Sequence, residues 1–246
     1  MHKMTDLLLD FYKKVREINR YFKLIKFLDD KRSIGNFRVT VEMQSALKAN
    51  CYLMLYNLIE GSVFEGLDAI FADINSQSIS FDQLKDNYKI MWLNYNCELV
   101  KRSKNYGDNK GSKVFGKKLQ DILGNLREFS ILPYTNKDGE KFENYDGYAQ
   151  LLDSSEFSGN LDARKIREIA EKYGFIAPEE GVCSNELLAV KNFRNKLAHG
   201  EQTFSEVGQA KAVGELIKIY LCVFRYLRNT LKSIEQLIRN KNYLKK

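Results

Sequence analysis

Arg194 and His199 are the side chains whose types could bind an anion and move a proton, and four residues, Asn195-Lys196-Leu197-Ala198, separate them. A guanidinium stays charged at any working pH, and its planar fork matches phosphate oxygens. An imidazole moves protons near neutral pH. On a helix, Asn195 and His199 share a face because they are four apart. Arg194 and His199 are five apart, about 140° around an ideal helix. They converge on one phosphate only if the helix ends near Ala198, as Gly200 suggests, or if the ligand lies across the helix end. The same residues also suit a plain helix C-terminus, where cations interact well with the helix dipole.

The rest of the composition narrows the chemistry. Only two histidines occur, His2 and His199, and His2 sits at the terminus. Any hydrolase reading built on an imidazole therefore has to use His199. The four cysteines, Cys51, Cys97, Cys183 and Cys222, are widely spaced. No C-x-x-C or paired Cys/His spacing is present, which argues against a structural zinc site. Three of the four lie in apolar helical contexts and read as buried free thiols. No phosphate-cradling G-x-x-x-x-G-K-[ST] and no G-x-G-x-x-G is found, so nucleotide hydrolysis and dinucleotide chemistry lose their support. No metal and no cofactor is expected.

In 246 residues, 39 Lys+Arg stand against 32 Asp+Glu, a net charge of +7, with 44% apolar and 29% charged residues. That mix belongs to a globular chain, and its charge suits a polyanionic partner. Residues 101–118 and 225–246 each hold seven Lys/Arg against one acid. Such clusters track a nucleic-acid backbone or form solvated surface. The Leu7-Leu8-Leu9 patch is bracketed by Asp6 and Asp10 and is too short for a signal core. The late apolar stretch Leu216 to Leu227 is interrupted by Lys218 and Arg225 and does not span a bilayer. A cytoplasmic protein with no membrane partner is expected.

Stepping outward from Arg194 and His199, the elements that must hold them read as helices. Only two prolines occur, Pro133 and Pro178, as in a mostly helical chain. Three- and four-residue apolar steps predict helices over 4–30, 39–75, 81–101, 184–198 and 205–240. Residues 33–38 break the first pattern. Gly61 and Gly66 mark a kink or a close helix contact in the second helix. Asn160-Leu161-Asp162 reads as a helix start and Gly174 as its stop. Residues 103–160 differ: they are rich in Gly, Asn, Asp and Lys, with an amphipathic piece at 117–129 and a turn at Asn136-Lys137-Asp138-Gly139. This suggests a short β-hairpin between Ile131 and Phe142, within an insertion in one helical domain spanning 1–246. Trp92, Tyr220 and Phe224 read as core or interface.

The string Arg194-Asn195-Lys196-Leu197-Ala198-His199-Gly200-Glu201 resembles the R-x4–6-H motif of the HEPN superfamily, in the form with Asn directly after Arg. Further segments resemble one bacterial HEPN family first named from Microcystis proteins (the MAE type). They are Tyr56-Asn57-Leu58-Ile59-Glu60, Gly159 to Ile166 followed by Tyr173-Gly174, and Phe204 to Gly208. The resemblance covers about 40–75 and 159–243. It implies an all-α, up-down HEPN bundle carrying the 103–160 insertion. It also implies a homodimeric endoribonuclease acting on RNA, in a toxin–antitoxin or anti-phage defence setting, with a cognate antitoxin or second HEPN protein as partner. The alternative is a catalytically inactive HEPN module that binds RNA or a partner, as an antitoxin or scaffold does.

RNA cleavage without metal needs a base for the ribose 2′-OH, an acid for the leaving 5′-oxygen and a cation for the charge on phosphorus. One chain offers one useful histidine. A two-fold dimer would supply two, although a Lys or Tyr could carry the second proton. Arg194 is assigned to the phosphate, His199 to proton transfer, and Asn195 to orienting the phosphate or the imidazole. Glu60 and Asn57, three apart on the upstream helix, would steer Arg194 or His199. Glu60 equally suits a surface carboxylate or a partner for a buried arginine. Some HEPN toxins carry a tyrosine two residues after the motif histidine, which a partner nucleotidyltransferase modifies with AMP. Glu201 stands there in this chain and does not support that mode of control.

Overall fold

The computed structural model describes residues 4–91 and 160–245, apart from 32, 78 and 80. The fold is all-α. Helix α1, Met4–Asp29, buries Leu7, Phe11, Val15, Ile18, Phe22 and Ile25, the stripe its periodicity predicts. A two-residue hairpin follows. β1, Ser33–Ile34, pairs antiparallel with β2, Phe37–Arg38, across a turn in which Gly35 takes φ +58°. A type of turn with positive φ suits glycine because it lacks a Cβ.

Helix α2, Val41–Ser76, is the axis of the molecule. Thr40 caps it, its side chain accepting from the Met43 amide at 3.2 Å. Cys51, Tyr52, Leu55, Tyr56, Leu58, Ile59, Val63, Leu67 and Ile70 are all buried. A helix buried on so many sides must be wrapped by its neighbours, and α2 contacts α1 and each of the later helices α4, α5 and α6 defined below.

Asp162 starts α3, Ala163–Tyr173, by accepting from the Lys165 amide at 3.0 Å, and Gly174 ends it in the left-handed region at φ +77°. Both boundaries are the ones the sequence indicates. Helix α4, Ser184–Ala198, carries Arg194 and Asn195.

The single helix expected over 205–240 is two. Helix α5, Phe204–Gln209, opens on a reciprocal cap between Thr203 and Glu206. Helix α6, Val213–Arg239, restarts where Glu215 accepts from the Ala212 amide at 3.2 Å. The break has a packing cause. Gly208 presses so closely on α2 that a Cβ there would stand 1.9 Å from the Ser45 carbonyl oxygen. α5 is seated on α2 at that point, and α6 leaves from it to pack against α1 and α2 as well.

The α1–α6 seam is aromatic, with Phe11 stacked on Phe224 at 5.8 Å and Phe22 on Tyr220 at 4.8 Å. Gly66 is a close helix contact. A Cβ there would meet Ile234 Cδ1 at 2.6 Å.

The helix expected from Phe81 begins differently. Phe81–Gln83 is a 3-10 turn and Leu84 bridges Leu244, so that among the described residues regular helix starts at 86 rather than at 81. The chain end competes for the local backbone groups. The Lys85 amide donates to the Tyr243 carbonyl at 2.9 Å, and the Lys245 amide to the Gln83 carbonyl at 2.8 Å. The 117–129 amphipathic piece, the 131–142 hairpin, the basic cluster at 101–118, Trp92 and Cys97 lie outside the described residues.

Candidate active site

Helix α4 ends as its sequence requires. The Glu201 amide donates to the Lys196 carbonyl at 2.9 Å and the Gly200 amide to the Leu197 carbonyl at 3.3 Å, with Gly200 at φ +69°. This paired closure satisfies carbonyls that the last turn would otherwise leave bare. It makes His199 the C-cap, at φ −91° and ψ 0°, rather than a further helical residue. The condition set by the 140° spacing is therefore met: the helix stops at Ala198. His199 is exposed, and among the described residues no hydrogen bond or ion pair engages its imidazole.

Arg194 is treated differently. Its guanidinium carbon lies 4.4 Å from the centroid of the Tyr56 ring, within the range of a cation–π contact. Its Nη1 donates to Asn195 Oδ1 at 3.0 Å. One of its five N–H donors is so used, and no ion pair to a described residue claims the rest. Asn195 links the two motif residues, since its side chain holds Arg194 while its carbonyl accepts the His199 amide at 2.9 Å.

The platform beneath the motif comes from one face of α2. Tyr52, Tyr56 and Glu60 follow at four-residue steps. The Tyr52 ring meets Phe193 at 4.6 Å, and Tyr56 lies under Arg194. The Tyr56 hydroxyl accepts from the buried Leu161 amide at 3.3 Å, which locks the ring against the start of α3. Burial raises the Tyr56 hydroxyl above its ordinary pKa, and the Glu60 carboxylate adds to this. The Leu161 hydrogen bond and the Arg194 charge act in the opposite sense. Glu60 thus touches the motif through Tyr56. Asn57 is exposed, and no hydrogen bond joins it to Arg194 or His199 among the described residues. Of the two upstream residues singled out in the sequence, only Glu60 sits on the face that meets α4.

Two residues at the site escape sequence reasoning. Tyr56 belongs to the segment that carries the resemblance, but only its position four residues before Glu60 hints that it shares that face. Lys191, three residues before Arg194, forms a 2.5 Å ion pair with Asp162, tying α4 to the cap of α3. Burial works to raise the Asp162 carboxyl. The Lys191 ammonium and the Lys165 amide outweigh it and hold the carboxyl below its ordinary range.

Fold and site together define a class: an all-α bundle in which a surface helix closes on an Arg-Asn pair and a C-capping histidine. The chain belongs to the MAE_28990-like HEPN family, whose model matches residues 3–243. No curated protein and no solved structure matches the chain. Family membership marks it as a nuclease-like or RNA-related module. Among the described residues no helix is long and apolar enough to cross a membrane.

Proposed function

We propose that this chain is a metal-independent endoribonuclease whose working site is completed by a second copy. The observation that carries the reading is the different treatment of the two motif side chains. Arg194 is oriented by Tyr56 and Asn195 with most of its donors uncommitted. His199 stands exposed at the C-terminal end of the same helix. A preset cation and an exposed imidazole at one helix end suit a phosphodiester that arrives from solvent.

In this reaction the imidazole of His199 takes the proton of a ribose 2′-OH. The 2′-oxygen bonds to the adjacent phosphorus, and the P–O5′ bond breaks. The leaving oxygen receives its proton from the partner's His199. The products are a 2′,3′-cyclic phosphate and a free 5′-OH. Arg194 of each copy balances the charge on the non-bridging oxygens.

Dimerisation is supported by the outward face of α4. There Asn185, Leu188, Asn192, Asn195, Lys196 and Glu201 line an open groove, and Leu188 is 40% exposed. That face adjoins the motif, so a second copy seated on it would bring the two motifs together. The biological setting we assign is a toxin or defence enzyme controlled by a cognate antitoxin or second HEPN protein.

The test is incubation of the purified protein with RNA in excess chelator. Cleavage with cyclic-phosphate ends, lost in His199→Ala, is the expected result. RNA shifted in a gel yet left intact by the wild-type protein would make the chain a binding module instead.

A further inference from the structure

We propose that Cys183, Glu186 and Cys222 form a binding site for a thiophilic divalent metal, zinc by its donor chemistry, that pins the start of α4 to the middle of α6. The two sulfurs and a carboxylate oxygen lie within 4.8 Å of one another. In a tetrahedral zinc site with Zn–S of about 2.3 Å, neighbouring donors stand about 3.5–3.8 Å apart. The three donors therefore need to close by at most about an ångström, which side-chain rotation supplies. Two thiolates and a carboxylate make up a zinc-type donor set, leaving a fourth position for water.

The backbone arranges these donors. Cys183 is the N-cap of α4 and takes φ +54°, a conformation uncommon for a side chain of its kind. Glu186, three residues on, lies on the same helix face. Cys222 comes from α6, far along the chain. All three are half-buried, accessible enough to load and shielded enough to hold an ion. Three anionic ligands around a dication leave one net negative charge, and Arg225, whose charge acts on Cys183, stands near to balance it.

A disulfide between the two sulfurs is the competing chemistry. It has no use for the Glu186 carboxylate that converges on the two sulfurs. The convergence of all three groups favours the metal. The site is independent of the nuclease reading, since Cys183 and Arg194 are separated by about 16 Å of helix rise.

The experiment uses the full chain, reduced and stripped of metal, titrated with Co²⁺ and then Zn²⁺. The expected result is one cobalt per chain with an intense near-ultraviolet thiolate-to-cobalt band, and displacement of that cobalt by zinc. Cys222→Ser should abolish the band and Glu186→Gln should weaken binding about tenfold or more, while Cys51→Ala, in the buried face of α2 and outside the cluster, leaves both unchanged. Far-ultraviolet circular dichroism keeps a misfolded variant from being counted. Cobalt bound without the thiolate band, or a band unaffected by Cys222→Ser, overturns the proposal. So does a reduced chain that takes up no cobalt but loses two hydrogens by mass on exposure to a disulfide oxidant.

Discussion

The face of the Tyr56 ring lies 4.4 Å from the guanidinium carbon of Arg194, and Tyr56 is in turn fixed by the hydrogen bond its hydroxyl accepts from Leu161. Arginine has many rotamers, and holding one of them in advance spares that entropy when a phosphate binds. The ring does the holding from the buried face of α2.

Replacing the ring separates its role from that of the hydroxyl. Tyr56→Leu removes a contact worth about 0.5–2 kcal/mol. RNA cleavage measured as kcat/KM should therefore fall by about two- to thirtyfold. Tyr56→Phe keeps the ring under Arg194 and should lose less activity. It leaves the Leu161 amide without its acceptor, so its main effect is a lower unfolding midpoint.

The motif residues should divide binding from chemistry. His199→Ala should lower the cleavage rate by about 10²–10⁴-fold while leaving RNA retention in a gel close to wild type. Arg194→Lys keeps the charge and loses the planar fork and the ring contact. It should weaken both cleavage and retention, with Arg194→Ala lower still.

The Asp162–Lys191 pair gives a pH dependence of stability. The Asp162 carboxyl is held below its ordinary range in the folded chain. Its contribution is therefore fully present above the unfolded value near 3.9 and is lost as pH falls through the lower folded value. Urea unfolding between about pH 7 and pH 3 should show wild type losing stability faster than Asp162→Asn at the acid end. At neutral pH the variant keeps the cap and should be less stable by about 1.5–3 kcal/mol, the range for a hydrogen bond to a charged group. Parallel pH profiles for the two proteins would remove this pair as the cause.

Two glycines make opposite predictions. Gly208→Ala places a Cβ 1.9 Å from the Ser45 carbonyl oxygen and 2.4 Å from its carbon. Backbone cannot swing aside as a side-chain tip can, so the variant should lose about 1–3 kcal/mol or more. Gly214, in the first turn of α6, has nothing within 4 Å of a Cβ. Gly214→Ala should gain about 0.4–1 kcal/mol. Thermal unfolding of the two variants checks both signs.

The sequence by itself determined what depends on near neighbours along the chain. The stripe of α1, the Asp162 start and Gly174 stop of α3, and the end of α4 at Ala198 all follow from caps and three- to four-residue periodicity. These rest on hydrogen bonds within a turn or two. The all-α class of the fold was legible for the same reason, and the motif through the string that carries the resemblance. Tertiary structure alone decided that Tyr56 and Glu60 face α4 while Asn57 does not, because the rotation of one helix against another is set by packing across the bundle. It also decided that α5 and α6 are separate helices, because the seat of Gly208 on Ser45 outweighs the continuous apolar pattern. And it brought Cys183 to Cys222, whose distant positions argue against a shared site until the fold closes the chain between them.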